Sequence, residues 1–339
     1  MKLFIKILFC LFVVALVKSG MATRNVRTRN YTPTYNGEYE TKITSFSEWF
    51  QKYRREPTES ECIQIIENGA DPNEHIILPE DLFSQQAALF RKMNNVMSLK
   101  SVQPYTMETG YLTPLFFAIS LKYNDLIYRL LKEGANPNEK MHYFYAGHLQ
   151  QAIMSQDIEI VKALLSAGAD VNLKSVMGNS VTAAVVSWKS KQTHIDKALN
   201  SGEEHVVSNL ISTSKILLEE DVGDKTSYEI LDLILKNGGD VKSVNENGFN
   251  PIMSALIARN YRAFMMMLPY VSAEEIDDMN VYYEGKSIPL VCMIVASGYR
   301  EIVEATFKKG VKLNLSNGLS LYDYSYSIEI DNLISKYME

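Results

Sequence analysis

The chain has 339 residues, 46% of them hydrophobic and 22% charged, with a formal net charge of −6. That composition is ordinary for a folded soluble protein and leaves enough apolar surface for a sizeable core. The mildly acidic balance excludes a nucleic-acid footprint, which needs a basic face; the run Arg24, Arg27 and Arg29 is too short to serve as a nucleic-acid arm.

The first 22 residues differ in kind from the rest. Lys2 and Lys6 precede an unbroken apolar run from Ile7 to Val17, and Lys18-Ser19-Gly20-Met21-Ala22 follows. A charged start, a short apolar core and a small-residue exit form a secretory signal pattern. The run is too short for a comfortable membrane span of about 20 residues. Cleavage is expected after Ala22, with Val17-Lys18-Ser19 as a second option. Bulky Phe9 before Cys10 does not fit a lipoprotein signal. Lys18, Arg24, Arg27 and Arg29 put more positive charge after the run than before it, against the usual bias, which leaves an uncleaved anchor as the alternative. Removing residues 1–22 takes away three lysines and no acid, moving the charge from −6 to −9. Residues 23–43 read as a flexible leader, and residues 44–339 as one repeat domain.

Phe46, Trp49, Phe50 and Tyr53 form a helical stripe that opens the domain. One phrase then recurs: Gly69-Ala70-Asp71-Pro72-Asn73, Gly134-Ala135-Asn136-Pro137-Asn138, Gly168-Ala169-Asp170-Val171-Asn172, Gly238-Gly239-Asp240-Val241-Lys242 and Gly310-Val311-Lys312-Leu313-Asn314. The glycines are 65, 34, 70 and 72 residues apart, one or two periods of about 33. Apolar residues at helical spacing precede the phrase: Leu126, Ile127, Leu130 and Leu131; Ile160, Val161, Leu164 and Leu165; Ile230, Leu231, Ile234 and Leu235. The glycine then stops the helix in a left-handed cap. Thr113-Pro114-Leu115 and Asn250-Pro251-Ile252 start new helices, with a capping side chain followed by proline in the first turn.

These segments resemble the ankyrin repeat, which opens on TPLHxA and closes on GADVN over a 33-residue period. TPLFFAISLKYNDLIYRLLKEGANPN, within residues 112–141, and DIEIVKALLSAGADVN, within 146–175, carry the likeness. The resemblance implies an all-α fold: an ankyrin-repeat solenoid of about six helix pairs plus a C-terminal cap, with two helical insertions. Phe116, Gln150 and Met253 stand where the family has histidine at the fourth position of the helix start. The hydrogen bond that this histidine makes between repeats is therefore expected to be absent, and replaced by apolar contact in at least two cases.

The insertions are residues 74–111 and 191–226. Leu82, Phe83, Gln86, Leu89, Phe90, Met93 and Met97 mark an extra helix in the first; Val206, Val207, Leu210, Ile211, Leu217 and Leu218 mark one in the second. Leu319 to Met338 fits a final helix pair with no Gly-Ala phrase after it, as a capping repeat should. Cys62 and Cys292 fall in repeats far apart along the array and are expected as two buried free thiols.

No pattern of catalysis emerges. His75, His142, His148, His194 and His205 fit neither a metal motif nor a nucleophile elbow, and Glu219-Glu220, Glu274-Glu275 and Asp277-Asp278 read as solvated acids at helix ends. The chain is therefore read as a non-enzyme, without cofactor or metal. What remains is surface chemistry. Tyr143, Phe144 and Tyr145 follow the second phrase, and Tyr282 and Tyr283 lie in a later turn. Large aromatics on turns anchor interfaces, so these five are the candidate partner-binding residues, set against a purely stacking role. The resemblance implies a protein-binding module, expected in the periplasm or secreted. One version is a bacterial immunity protein that neutralises a toxin, whose basic surface would suit an acidic chain. A secreted effector that binds host proteins is the alternative, and an enzyme with its site in the insertions a third. Membrane contact is expected only through an uncleaved signal.

Overall fold

Helices start in this chain where a short polar side chain caps the free N–H groups of a first turn. Ser45, Thr58, Thr113, Asn179, Asn250 and Ser272 each sit in extended backbone and accept the N–H of the residue three positions on. The computed structural model describes residues 42–76, 112–139, 147–175, 178–187, 225–245, 248–283, 286–315 and 318–339. The expected signal segment, over 1–22, and the expected insertion helices over 82–97 and 206–218 lie outside the described residues. In chain order the helices are α1 (Phe46–Tyr53), α2 (Glu59–Glu67), α3 (Pro114–Leu121), α4 (Asn124–Lys132), α5 (His148–Met154), α6 (Ile158–Ser166), α7 (Ser180–Val186), α8 (Lys225–Lys236), α9 (Pro251–Ile257), α10 (Tyr261–Met267), α11 (Ala273–Asp278), α12 (Leu290–Ala296), α13 (Arg300–Lys308) and α14 (Ile328–Met338). Strands β1 (Asn280–Tyr283) and β2 (Lys286–Pro289) form a hairpin between α11 and α12.

The recurring glycines end helices as their position suggests. Gly134 adopts φ 90°, and the N–H of Ala135 then reaches back 2.9 Å to the carbonyl of Leu130, closing the end of α4. The same backward bond follows α2, α6 and α8. Gly239, which replaces the usual alanine of the phrase, has a second reason: a Cβ there would meet Val181 Cγ2 at 2.6 Å and the Ile234 carbonyl at 3.0 Å. The tight turns between paired helices are less obvious from sequence. Arg54, Lys122, Gln156 and Arg259 hold the left-handed conformation there, with φ of 51° to 60°. Each pays a steric cost of about 1 kcal/mol.

By contacts the chain divides into two units, Met1–Ala152 with Lys162–Asp170 and Ile153–Val161 with Val171–Glu339. In the first, α4 packs on both α3 and α2. Phe46, Trp49 and Phe50 are buried, and the Phe50 ring meets Phe117 edge-on at 5.8 Å. In the second unit, α7, α9 and α12 pack in one row and α8, α10, α13 and α14 in another, joined by the α7–α8, α9–α10 and α12–α13 contacts. The first row carries no charged residue (SVTAAVV, PIMSALI, LVCMIVA). In the second row, α8 and α13 bury Ile230, Leu231, Ile234, Leu235, Ile302, Val303 and Phe307 while placing their charges outward.

Four details differ from the sequence reading. Leu164 is fully buried but Leu165 only half so, because adjacent helical positions diverge by about 100° and one of them must leave the core face. Ile43, placed at the end of the leader, is buried, and its carbonyl accepts from Asn68 Nδ2 at 2.9 Å. The first half of the expected terminal pair is a single 3₁₀ turn, Leu321–Tyr324. It ends where Ser325 and Ser327 turn their hydroxyls onto nearby backbone groups, Ser325 to the Ser327 carbonyl and Ser327 to the Ile330 N–H. The fold also includes the β1–β2 hairpin, so it is mostly rather than wholly helical. Cys62 and Cys292 are buried free thiols, as expected; burial pushes them up to about 12 and about 11.

Candidate interaction surface

The glycine turns after α4, α6 and α8 are held by one recurring device. Asn73 accepts the Asn136 N–H at 2.7 Å and donates to the Gly134 carbonyl at 3.0 Å. Asn138 does the same to Asp170 N–H and the Gly168 carbonyl, at 2.7 and 3.0 Å. In the second unit Asn172 clamps Asp240 N–H and the Gly238 carbonyl, at 2.8 and 2.9 Å. Each clamp takes the last residue of one phrase and fixes the glycine turn of the next. A carboxamide suits this role because it offers an acceptor and a donor side by side. Sequence reasoning found the phrase but not the work of its final asparagine.

Ile76, within the expected 74–111 insertion, and Leu112, just after it, form an antiparallel bridge, with N–H to O distances of 2.7 and 3.1 Å. Glu74, at its foot, turns its carboxylate onto the start of α1. It accepts from Phe46 N–H, Ser47 N–H and Ser45 Oγ at 2.7 to 2.8 Å, a favourable place for a negative charge. The feet of the second insertion are also tied: Gln156 bonds Ser187 Oγ at 3.1 Å and Ser227 Oγ at 2.5 Å.

The later aromatic turn is the β1–β2 hairpin. Val281 faces Ile288 and Tyr282 faces Ser287. Strand alternation sends these two pairs to opposite faces: Val281 is 2% exposed and Tyr282 77%. The Leu290 N–H to Met279 carbonyl bond, 2.8 Å, closes the base. Tyr282 thus stands out from a hydrogen-bonded strand with its ring exposed. Tyr283 ends β1, opposite Lys286. Tyr143, Phe144 and Tyr145 lie outside the described residues.

His148 overturns one expectation. The family's histidine position is indeed filled by Phe116, Gln150 and Met253, yet a histidine bond between helix pairs is present. His148, at the first position of α5, is fully buried. Its Nε2 lies 2.7 Å from Thr113 Oγ1, the cap of α3, and its Nδ1 lies 3.1 Å from the Pro137 carbonyl. The neutral ring with its proton on Nδ1 satisfies both contacts. Burial pushes its pKa down to about 4, against a small opposing effect of the Pro137 carbonyl.

Among the described residues no three metal-binding side chains come together. Glu275 completes a capping box with Ser272, and Asp277 Oδ1 accepts the Lys312 N–H at 2.9 Å, so both acids serve the scaffold. His75 lies exposed, 3.8 Å from Glu139. No described helix is long and apolar enough to cross a membrane.

Comparison with known proteins agrees with this geometry. Over 184 residues, 53% of this chain and 93% of the relative, the sequence is 28% identical to an ankyrin repeat protein of Fowlpox virus (strain NVSL). Residues 149–176, which run from α5 through α6 into the turn after it, match the family model of the ankyrin repeat.

Proposed function

We propose that this chain is a non-catalytic protein-binding module, built as a divergent ankyrin-repeat solenoid, that engages a partner through the fingers of its repeats. The observation that carries the reading is Tyr282. It is a large amphipathic side chain, 77% exposed, held on a strand whose other face is buried. Such a residue loses little conformational freedom on binding, the condition for an interface anchor. Ankyrin repeats generally mediate protein–protein interaction, and the match at residues 149–176 supports that role here. Tyr283 and the aromatic turn Tyr143, Phe144 and Tyr145 belong to the same proposed surface.

Two versions of the partner follow from the sequence: a toxin neutralised in a bacterial periplasm, or a host protein met by a secreted effector. The viral origin of the similar ankyrin repeat protein favours the second. The order of charged, apolar and small residues over 1–22 supports action outside the cytoplasm. Alanine substitution at Tyr282, read by partner affinity and melting temperature together, tests the reading. A loss of affinity of tenfold or more, about 1.4 kcal/mol or more, at unchanged melting temperature is expected. Unchanged affinity would move the site elsewhere.

A further inference from the structure

The asparagine clamp stops at the fourth phrase, where Lys242 replaces the terminal asparagine. After α10 the chain has no glycine turn. Val271, 2% exposed, is buried after α10 as Ala135 is after α4, although its N–H reaches the Leu268 carbonyl, three residues back rather than five. Ser272 follows it as Asn136 follows Ala135 and Asp240 follows Gly239, and the clamps bind the N–H groups of those two. The Ser272 N–H is instead taken by Glu275 Oε2 at 2.8 Å, while Glu275 Oε1 lies 2.7 Å from Lys242 Nζ. A relay of ammonium, carboxylate and N–H thus stands where a neutral carboxamide would reach directly. The pairing pushes the Glu275 carboxyl below its ordinary range and the Lys242 ammonium above its own, the hydrogen bond between them being the largest cause in each case.

We propose that the turn joining the α7–α8 pair to the α9–α10 pair is a salt-responsive joint, in which the Lys242–Glu275 ion pair replaces the asparagine clamp. A neutral amide clamp is indifferent to ionic strength. An exposed ion pair is screened as the Debye length falls from about 10 Å at 0.1 M to about 3 Å at 1 M salt. The helix side of the same joint is held by packing together with a cation–π contact, Arg262 of α10 lying 3.3 Å over the Tyr228 ring of α8. There α7 packs on α9 and α8 on α10, and Asn260 Nδ2 reaches the Val185 carbonyl at 3.4 Å. Salt therefore acts first on the finger side, where the ion pair stands exposed. The following junction returns to a direct side-chain acceptor, Asp277 on the Lys312 N–H. The stiffness of this turn accordingly follows ionic strength, on the chain segment that leads into the Tyr282 hairpin.

Backbone amide exchange on the full-length protein, at about 50 mM and about 1 M sodium chloride, tests this. The N–H groups of Asn136, Asp170 and Asp240, clamped by asparagine, are internal controls for any general effect of salt. Exchange over Ser272–Glu275 is expected to accelerate about threefold relative to those controls, the range of an exposed ion pair. Lys242→Gln is expected to show the fast rate already at low salt and no further response. The double exchange Lys242→Glu with Glu275→Lys is expected to restore the response to salt. A wild-type rate over Ser272–Glu275 that tracks the controls, or a salt response retained in Lys242→Gln, would overturn the proposal.

Discussion

Acid should weaken this protein through one buried side chain, His148. Its ring is fully buried, with Nδ1 donating to the Pro137 carbonyl and Nε2 accepting from the Thr113 hydroxyl. The Thr113 oxygen in turn accepts the Phe116 N–H at 3.1 Å, so the chain of bonds is complete only for the neutral ring. Adding a proton at Nε2 takes away the acceptor of the Thr113 hydroxyl and places a charge away from water. The folded-state pKa of about 4 lies below the ordinary 6.5. The unfolded chain therefore binds the proton first, and stability falls as pH drops from about 6.5 towards 4. The gap is worth roughly 3 kcal/mol, fully present above pH 6.5 and lost by pH 4. Urea unfolding at steps between pH 7.5 and 4.5, on wild type and His148→Gln, isolates this contribution from the titrating carboxylates that both share. The variant should be less stable at pH 7.5, by about 1–3 kcal/mol for the lost buried hydrogen bonds, and should lose less stability on acidification. Parallel pH curves for the two proteins would refute the reasoning.

Two further substitutions probe the packing and the clamps. Leu164→Ala, at a fully buried site on α6, should cost about 2–5 kcal/mol in urea unfolding, against about 1–2 kcal/mol for the half-buried Leu165→Ala; equal losses would contradict the register of α6. Asn138→Ala removes the bonds to Asp170 N–H and the Gly168 carbonyl and should cost about 1–2 kcal/mol, the range for two partly exposed hydrogen bonds. A thermal melt in which Asn138→Ala matches wild type would show that the clamp contributes nothing.

Much of this scaffold was legible because its signals are local. A capping side chain before Pro114 or Pro251, a run of apolar residues at helical spacing and a glycine after it each act within one helix. The recurring Gly-Ala phrase repeated the message in register. The helix turns at Arg54, Lys122, Gln156 and Arg259 were not legible, since nothing in those side chains announces a left-handed backbone; the packing of the two helices imposes it. His148 was missed for a related reason. Its partners, Thr113 and Pro137, are 35 and 11 residues away, and its position in the helix start is not the family's usual one. The clamps left a faint trace, the shared asparagine at 73, 138 and 172, whose meaning appears only when successive turns are side by side. Of the candidate interface, alternation in Val281-Tyr282 was enough to suggest one buried and one free side chain once a strand was in place. A turn rather than a strand was expected there, because four residues are too few to establish a period.

A photo-crosslinking amino acid placed at Tyr282, in cells that produce the full-length chain, tests the central claim that this finger holds a protein partner. Tyr326, 82% exposed on the segment before α14, is a control of matched exposure. The account predicts a discrete protein adduct from position 282 and none from position 326, with the adduct lost when unmodified protein is added in excess. Adducts of equal yield from both positions, or none from 282 while other surface sites crosslink, would contradict it.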